Sequence, residues 1–177
     1  MNATPVMMID VVGLTTDLLQ HVPRLRALGA SGFTAPLDTI VPAVTCSVQA
    51  SIVTGALPRD HGVVGNGWYF RELSEIWLWR QSNRLVGGDK LWDAARRELG
   101  ADVTCANLCW WYAMGASTDV CVTPRPVYYV DGKKGPGVYT YPAAVGADLV
   151  HQLGEFPLFD FWGPRAGIAS SRWIADA

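Results

Sequence analysis

Apolar and polar positions recur with two different periods in the first quarter of the chain, and these periods predict alternating strands and helices. Residues 6–12 form an apolar run interrupted only by Asp10, a pattern typical of a buried strand in a parallel sheet. A helical period follows over residues 15–32 and predicts a helix that Pro23 can split. Residues 33–41 alternate loosely and predict a second strand.

Further elements of both kinds are predicted in the rest of the chain. They comprise helices over residues 89–99, 143–153 and 169–177 and a strand over residues 101–108. Asp89 is the expected N-cap of the first of these helices. The order strand, helix, strand, helix predicts an α/β fold with a layered, mostly parallel sheet and helices on both faces. We expect a single domain over residues 1–177, with the turn-rich residues 131–136 as a flexible loop.

Composition excludes several classes of protein. A length of 177 residues with 50% apolar and 17% charged residues suits one globular domain. A net charge of -2, with no run of Lys or Arg, gives no electrostatic basis for binding nucleic acid or an anionic membrane. The four cysteines show no C-x-x-C spacing, residues 1–10 show neither the cationic region nor the long apolar core of a signal peptide, and no apolar run reaches about 18 residues. We therefore expect a soluble, cytoplasmic chain with small ligands.

Residues 42–66 look most suited to chemistry. They predict a loop, a helix that starts at Thr45 or Ser47 as N-cap and ends near Thr54, and a tight return through Gly55. A hydroxyl at a helix start lies beside unpaired N–H groups and the positive end of the helix dipole, which hold anions such as phosphate. Thr45 is thus a candidate to meet a phosphate, and the simpler alternative is that it only caps the helix.

The same stretch carries the pattern P-x-x-T, then S-I-V-T-G, then L-P-x-x-H-G-V-x-x-N. This pattern resembles the nucleophile segment of the nucleotide pyrophosphatase and type I phosphodiesterase family, in the alkaline phosphatase superfamily, and the resemblance runs from Val6 to Tyr69. It implies that Thr45 is the nucleophile, activated by one of two zinc ions and transiently phosphorylated. It also implies that Asn66 binds the phosphoryl oxygens and that Asp10 is a ligand of the zinc that carries the nucleophile. The family usually has Gly directly after that Asp, whereas Val11 and Val12 stand here.

Each of these residues also has a simpler interpretation. Asp10 suits a turn at a strand end, and Asn66-Gly67 is a strong signal for a two-residue hairpin turn. His61 has the chemistry of a general base, but the family activates its Thr with metal, so we expect His61 to make a structural hydrogen bond.

Two other segments leave alternatives open. The aromatic residues 68–79, with Trp92, Trp110 and Trp111, could form a wall on which a nucleobase stacks, or they could belong to the core. The two lysines of residues 131–136 could contact a phosphate or be solvated.

The chain resembles the N-terminal portion of an alkaline-phosphatase-like core and is expected to be incomplete. The family's other zinc ligands have no counterparts, because His21, His61 and His151 are scattered. Two divalent metal ions, expected to be zinc, would have only Asp10 and Thr45 as ligands, so we expect the chain alone to bind zinc weakly. An open sheet edge should be covered by oligomerisation or by association with a missing C-terminal half.

The first functional hypothesis is a metal-dependent hydrolase of phosphodiester or nucleotide pyrophosphate bonds, acting on a small phosphorylated substrate such as a nucleotide through a phosphothreonine. One alternative is a phosphomonoesterase, phosphonate hydrolase or mutase of the same superfamily. Another is a catalytically incomplete fragment that only binds its ligand.

Overall fold

A computed structural model describes residues 4–177 as two compact units, one ending at Thr39 and the other spanning Ile40–Ala177. In the first unit, a 3-10 turn at Asp17–His21 is followed by helix α1, Pro23–Ser31. The predicted helix over residues 15–32 is therefore confirmed and is split at Pro23, whose fixed φ suits the first turn of a helix. The prediction of one domain over residues 1–177 stays a prediction.

The two strands predicted in the first unit are absent. Residues 6–11 and 33–40 have no regular secondary structure, and Val6 and Phe33 are each 88% exposed. A strand forms only where a neighbour accepts and donates its backbone hydrogen bonds, and no described segment pairs with either stretch. The prediction of a buried strand over residues 6–12 and of a second strand over residues 33–41 was therefore wrong.

Among the residues that the structure describes, the second unit contains five α-helices and seven strands, together with 3-10 turns at Asn83–Leu85 and Leu158–Asp160. The helices are α2 Thr45–Thr54, α3 Pro58–His61, α4 Leu91–Leu99, α5 Ala143–Leu153 and α6 Ile168–Asp176. The strands are β1 Gly67–Phe70, β2 Glu75–Leu78, β3 Ala106–Leu108, β4 Val120–Pro124, β5 Val127–Tyr128, β6 Lys134–Gly135 and β7 Val138–Tyr141. The chain is thus a mixed α/β protein.

Three of the strands form one mixed sheet. Strand β4 lies between β3, which is parallel to it, and β7, which is antiparallel. The other four strands form two hairpins, β1–β2 and β5–β6. In the described residues, the predicted layered parallel sheet is represented only by the β3–β4 pair.

Sequence predictions in the second unit differ in their success. Helix α5 has the predicted bounds, and α6 is displaced by one residue at each end. Helix α4 begins at Leu91 after an extended Lys90, so Asp89 is not its N-cap and instead pairs with Arg97. The strand predicted over residues 101–108 is confined to β3, because the chain turns after Gly100, which has a φ of 116°.

The segment predicted as a flexible loop forms the end of the β5–β6 hairpin. Tyr128 pairs with Lys134, and the Tyr129 N–H donates to the Lys133 carbonyl at 3.0 Å. The Lys133 ammonium lies 2.8 Å from the Asp131 carboxylate. The segment therefore has a defined hydrogen-bonded conformation, and its flexibility stays a prediction.

Two hydrophobic clusters form the core of the second unit. The first lies beneath α2 and consists of Cys46, Ala50, Val63, Val86 and Tyr112, with Trp68, Leu85 and Trp111 packed against it. The second consists of Val122, Leu149, Phe156, Leu158 and Trp173. Part of the aromatic content thus belongs to the core. No helix within residues 4–177 is long and apolar enough to cross a membrane.

Candidate active site at the start of helix α2

Helix α2 begins without a cap from its own first residues. Val44 is the N-cap, with extended backbone angles and no capping side chain, and Thr45 is the first helical residue. The prediction that Thr45 or Ser47 caps the helix was therefore wrong. The Thr45 hydroxyl is half-buried and makes no capping hydrogen bond, so capping does not explain this residue.

A side chain from much later in the chain takes the capping role. The Asn66 Oδ1 accepts a hydrogen bond from the Cys46 N–H at 3.0 Å. Cys46 directly follows Thr45, so the structure brings the Asn66 amide to the first turn of α2. Because a backbone N–H requires an acceptor, the carbonyl oxygen faces the helix, and the Asn66 NH₂ group keeps its two donors for another partner.

The return of the chain to this point depends on two left-handed glycines and a buried histidine. Gly55 ends α2 with a φ of 67°, as predicted, and Gly62 ends α3 with a φ of 81°. Between them, His61 is only 1% exposed; its Nε2 lies 2.9 Å from the Ser51 Oγ, and its Nδ1 accepts the Val63 N–H at 3.1 Å. His61 thus connects the return segment, residues 55–66, to α2.

These contacts define the protonation state of His61. Since Nδ1 accepts a backbone N–H, the ring proton lies on Nε2 and is donated to Ser51. Burial lowers the pKa of His61 below its usual value, so the ring is neutral at pH 7. The interpretation of His61 as a structural hydrogen-bonding residue is confirmed, and both ring nitrogens are occupied by partners other than Thr45.

The alternative of a hairpin turn at Asn66-Gly67 was wrong. Gly67 is the first residue of β1 and pairs with Leu78, and the turn of the hairpin lies at residues 71–74. A Cβ on Gly67 would lie 2.7 Å from the Trp77 carbonyl oxygen, so glycine is required by close strand approach. The Trp79 N–H donates to the Asn66 carbonyl at 2.8 Å, which fixes the Asn66 backbone at the base of the hairpin.

Polar groups on α2 connect the helix to an aromatic segment. The Gln49 Oε1 accepts a hydrogen bond from the backbone N–H of Trp111 at 2.8 Å. The Trp111 ring makes an edge-to-face contact with the Trp79 ring, with 5.1 Å between centroids. These two rings therefore form an aromatic corner anchored to the helix that carries Thr45. Sequence analysis missed Gln49 because nothing in its position predicts a partner 62 residues away.

Cys46 does not compete with Thr45 as a nucleophile. Burial raises the pKa of Cys46 to about 12, so the side chain stays a thiol at neutral pH. The half-buried Thr45 hydroxyl and the Asn66 amide are the groups near the α2 N-terminus that remain suited to phosphate chemistry.

Asp10 belongs to the other unit. It lies exposed in an irregular segment, not at the end of a strand as predicted. Within residues 4–177, no cluster of three or more His, Cys, Asp or Glu side chains is arranged to hold a metal ion. The structure joins the Asn66 side chain to Cys46, the residue after Thr45, and the roles of Thr45, Asn66 and Asp10 stay predictions.

Comparison with known sequences identifies the class of protein. The sequence model of the type I phosphodiesterase / nucleotide pyrophosphatase family matches residues 6–177. Because this match covers nearly the whole chain, the protein belongs to that family. The resemblance carried by residues 42–66 is thereby confirmed, and the chain is a relative of phosphodiesterase and nucleotide pyrophosphatase hydrolases.

An individual relative is similar over a shorter stretch. Alkaline phosphatase PafA of Elizabethkingia meningoseptica is 36% identical over an alignment of 78 residues, and the match covers 37% of this chain and 14% of that protein. The match therefore spans much less than two thirds of the length of PafA. No solved structure matches the chain.

The hydrogen bond from Asn66 to α2 should be measurable in stability. Asn66→Ala should lower the free energy of unfolding by about 1 kcal/mol, because the Cys46 N–H loses its acceptor. Asn66→Asp should retain most of that stability, since a carboxylate oxygen can accept the same N–H near the positive helix end. Urea denaturation followed by circular dichroism measures both variants. Equal stability of the Ala and Asp variants would contradict the capping role.

Burial of neutral His61 should make the fold sensitive to acid. Its pKa in the folded state lies below the unfolded value of about 6.5, so the unfolded chain binds the proton first as pH falls. The free energy of unfolding should therefore decrease from about pH 6.5 down to the folded pKa and show no further loss from this residue below it. Urea denaturation at about pH 7.5 and 5 should show a smaller decrease for His61→Gln than for the unmodified chain. His151→Gln, at an exposed position, is the control and should leave the decrease unchanged.

Proposed function

We propose that this protein is a metal-dependent hydrolase of phosphodiester or nucleotide pyrophosphate bonds that acts through a phosphorylated Thr45. The observation that carries the proposal is the hydrogen bond between the Asn66 amide and the first turn of α2. It supports the proposal because Cys46 directly follows Thr45 and because the NH₂ group of the same amide keeps two N–H donors for a phosphoryl oxygen. Family membership supports the reaction class.

The chemistry follows from the groups at the start of α2. The Thr45 hydroxyl releases its proton to solvent as its oxygen attacks phosphorus, and the ester oxygen leaves with the bonding electron pair and takes up a proton from solvent. Water then attacks the phosphothreonine, releases the phosphoryl group and regenerates the Thr45 hydroxyl. The Asn66 NH₂ group and the positive end of α2 hold the phosphoryl oxygens as negative charge develops. Because burial raises the pKa of Cys46, that side chain stays a thiol and does not act as the nucleophile in place of Thr45.

Two divalent metal ions, expected to be zinc, supply the positive charge that activates a hydroxyl when they are bound. Asp10 and Thr45 offer oxygen ligands that are suited to such an ion. Two ligands are fewer than the four that zinc prefers, so we expect weak binding to this chain alone. We propose that further ligands come from an associated C-terminal portion or a second copy.

The substrate in this proposal is a small phosphorylated compound, including nucleotides. A net charge of -2 gives no basis for nucleic acid or an anionic membrane as partner. We also propose that the complete fold contains a layered, mostly parallel sheet and that the protein is cytoplasmic. The β3–β4 pair supports the former, and the four cysteines, all free thiols in the structure, support the latter.

A phosphomonoesterase is the second candidate. The observation that favours it is the similarity to PafA, which is named as an alkaline phosphatase. Hydrolysis of bis(4-nitrophenyl) phosphate compared with 4-nitrophenyl phosphate separates the two activities. A preference for the monoester would replace the first proposal by this one, and turnover of neither ester would favour a ligand-binding chain.

Thr45 should be indispensable for hydrolysis. With zinc added, Thr45→Ala should lower kcat for the diester at least about 100-fold, because the proposed phosphoenzyme forms on the Thr45 hydroxyl. Thr54→Ala is the matched control, since Thr54 lies at the other end of the same helix and its hydroxyl bonds only to nearby backbone. A Thr45→Ala variant that hydrolyses the diester at the unmodified rate would refute the proposal.

Asp10 should matter for the metal requirement. Asp10→Asn should raise the zinc concentration for half-maximal hydrolysis by roughly tenfold or more, because an amide is a poorer zinc ligand than a carboxylate. Asp17→Asn removes an equal charge from the same unit at another exposed position and should change nothing. The same zinc response in both variants would remove Asp10 from the proposed ligands.

A further inference from the structure

A cleft in the second unit has a lining unlike that of the candidate active site. Its volume is about 160 Å³, and no residue of α2 contributes to it. The lining combines two cationic side chains with four apolar ones: Lys134, Leu158, Phe159, Trp162, Pro164 and Arg165. No carboxylate is among the lining residues, so the cleft has a positive electrostatic character.

The two cations lack the partners that nearby basic residues have. Within residues 4–177, neither Lys134 nor Arg165 takes part in an ion pair, whereas the adjacent Lys133 pairs with Asp131 at 2.8 Å. The Lys134 ammonium lies 5.4 Å from the centre of the Tyr128 ring. Both positive charges therefore remain available to a ligand.

Both sides of the cleft are held in place by the fold. On one side, Lys134 is fixed by its strand pairing with Tyr128. On the other, the Asp160 carbonyl accepts hydrogen bonds from the Gly167 N–H at 2.9 Å and the Ser170 Oγ at 3.0 Å, which closes residues 158–167 into a compact loop. A preformed cleft loses little conformational entropy when it binds a ligand.

The aromatic part of the lining is anchored to the core. The Phe161 ring contacts the Trp162 ring at 5.0 Å between centroids and Phe156, in the second hydrophobic cluster, at 5.2 Å. Leu158 at the base is buried, whereas Phe159 and Trp162 are exposed. An anchored indole at a charged cleft offers a flat apolar surface to a ligand.

We infer that this cleft binds a small organic anion whose charged oxygens contact Lys134 and Arg165 and whose flat apolar part lies against Trp162. The planar guanidinium of Arg165 matches the paired oxygens of a carboxylate or a phosphonate. Two unpaired positive charges favour a dianion over a monoanion. The volume is close to that of a cavity of about 150 Å³ that holds one benzene ring.

The inference does not depend on the proposed hydrolase function. None of the lining residues is Thr45, Asn66 or Asp10. Binding at the cleft and hydrolysis at Thr45 can therefore succeed or fail separately.

Calorimetric titration of the whole chain with phenylphosphonate and with benzoate tests the cleft. At about 50 mM salt, phenylphosphonate should bind with one-to-one stoichiometry and a Kd on the order of 1 mM, and benzoate more weakly because it carries less charge. Lys134→Gln and Arg165→Gln should each weaken phenylphosphonate binding by about five- to tenfold. Trp162→Ala should also weaken it, and inorganic phosphate, which lacks a flat part, should bind less tightly than phenylphosphonate.

Matched variants distinguish binding in the cleft from general electrostatic attraction of the anion to the protein surface. Lys133→Gln and Arg84→Gln remove the same charges from exposed positions outside the cleft and should change the Kd less than about twofold. Thr45→Ala should leave binding intact. If Lys134→Gln unfolds, Lys134→Arg provides the test, because it keeps the charge and should retain binding. The inference is overturned by a lack of saturation up to about 10 mM, by equal effects of Lys133→Gln and Lys134→Gln, or by loss of binding in Thr45→Ala.

Discussion

The hydrogen bond from the Cys46 N–H to the Asn66 Oδ1 is the contact on which the arrangement of the candidate site depends. A helix start has several N–H groups without partners inside the helix, and α2 receives no cap from Val44, Thr45 or Ser47. The cap comes from the Asn66 Oδ1, which lies 20 residues after Cys46 in the sequence. The hydrogen bond that satisfies the helix start therefore also determines the position of the Asn66 amide. The Thr45 hydroxyl takes no part in capping, and the Asn66 NH₂ group keeps its two donors for another partner.

The chain between these two residues is built to make that contact. Gly55 and Gly62 adopt left-handed angles that other residues reach only with strain, and each ends a helix. The buried His61 then connects Ser51 of α2 to the backbone of Val63. A neutral, doubly hydrogen-bonded imidazole is stable in such an interior only while it carries one proton. The local architecture therefore depends on pH through a residue that takes no part in the proposed chemistry.

Sequence reasoning succeeded where the decisive interactions are local. The end of α2 at Gly55, the division of the first helical segment at Pro23 and the bounds of α5 follow from propensity and from neighbours within one turn. It failed for residues 6–12 and 33–41, because a strand exists only with a partner that a single pattern does not reveal. Full burial of Val6 or Phe33 is worth about 1.5–3 kcal/mol per side chain, and at 88% exposure most of that stabilisation is absent. An apolar pattern thus shows which side chains would gain from burial, and it does not show whether a partner is present to bury them.

The buried face of α2 shows why the site was harder to predict than the helix that carries it. The large apolar side chains of Val48 and Ile52 are only half-buried, whereas the buried positions are Cys46, Ser47, Gln49 and Ala50. The Ser47 Oγ has no hydrogen-bond partner in the described residues, and an unsatisfied buried polar group costs about 1–3 kcal/mol. A helix selected only for stability would place apolar side chains there. Small and polar side chains allow Gln49 to hold Trp111 and allow the return segment to approach closely enough for Asn66 to reach the first turn. The small and polar residues on the buried face of α2 therefore cost stability and at the same time permit these two contacts, which is the kind of local compromise expected where a helix carries a functional residue.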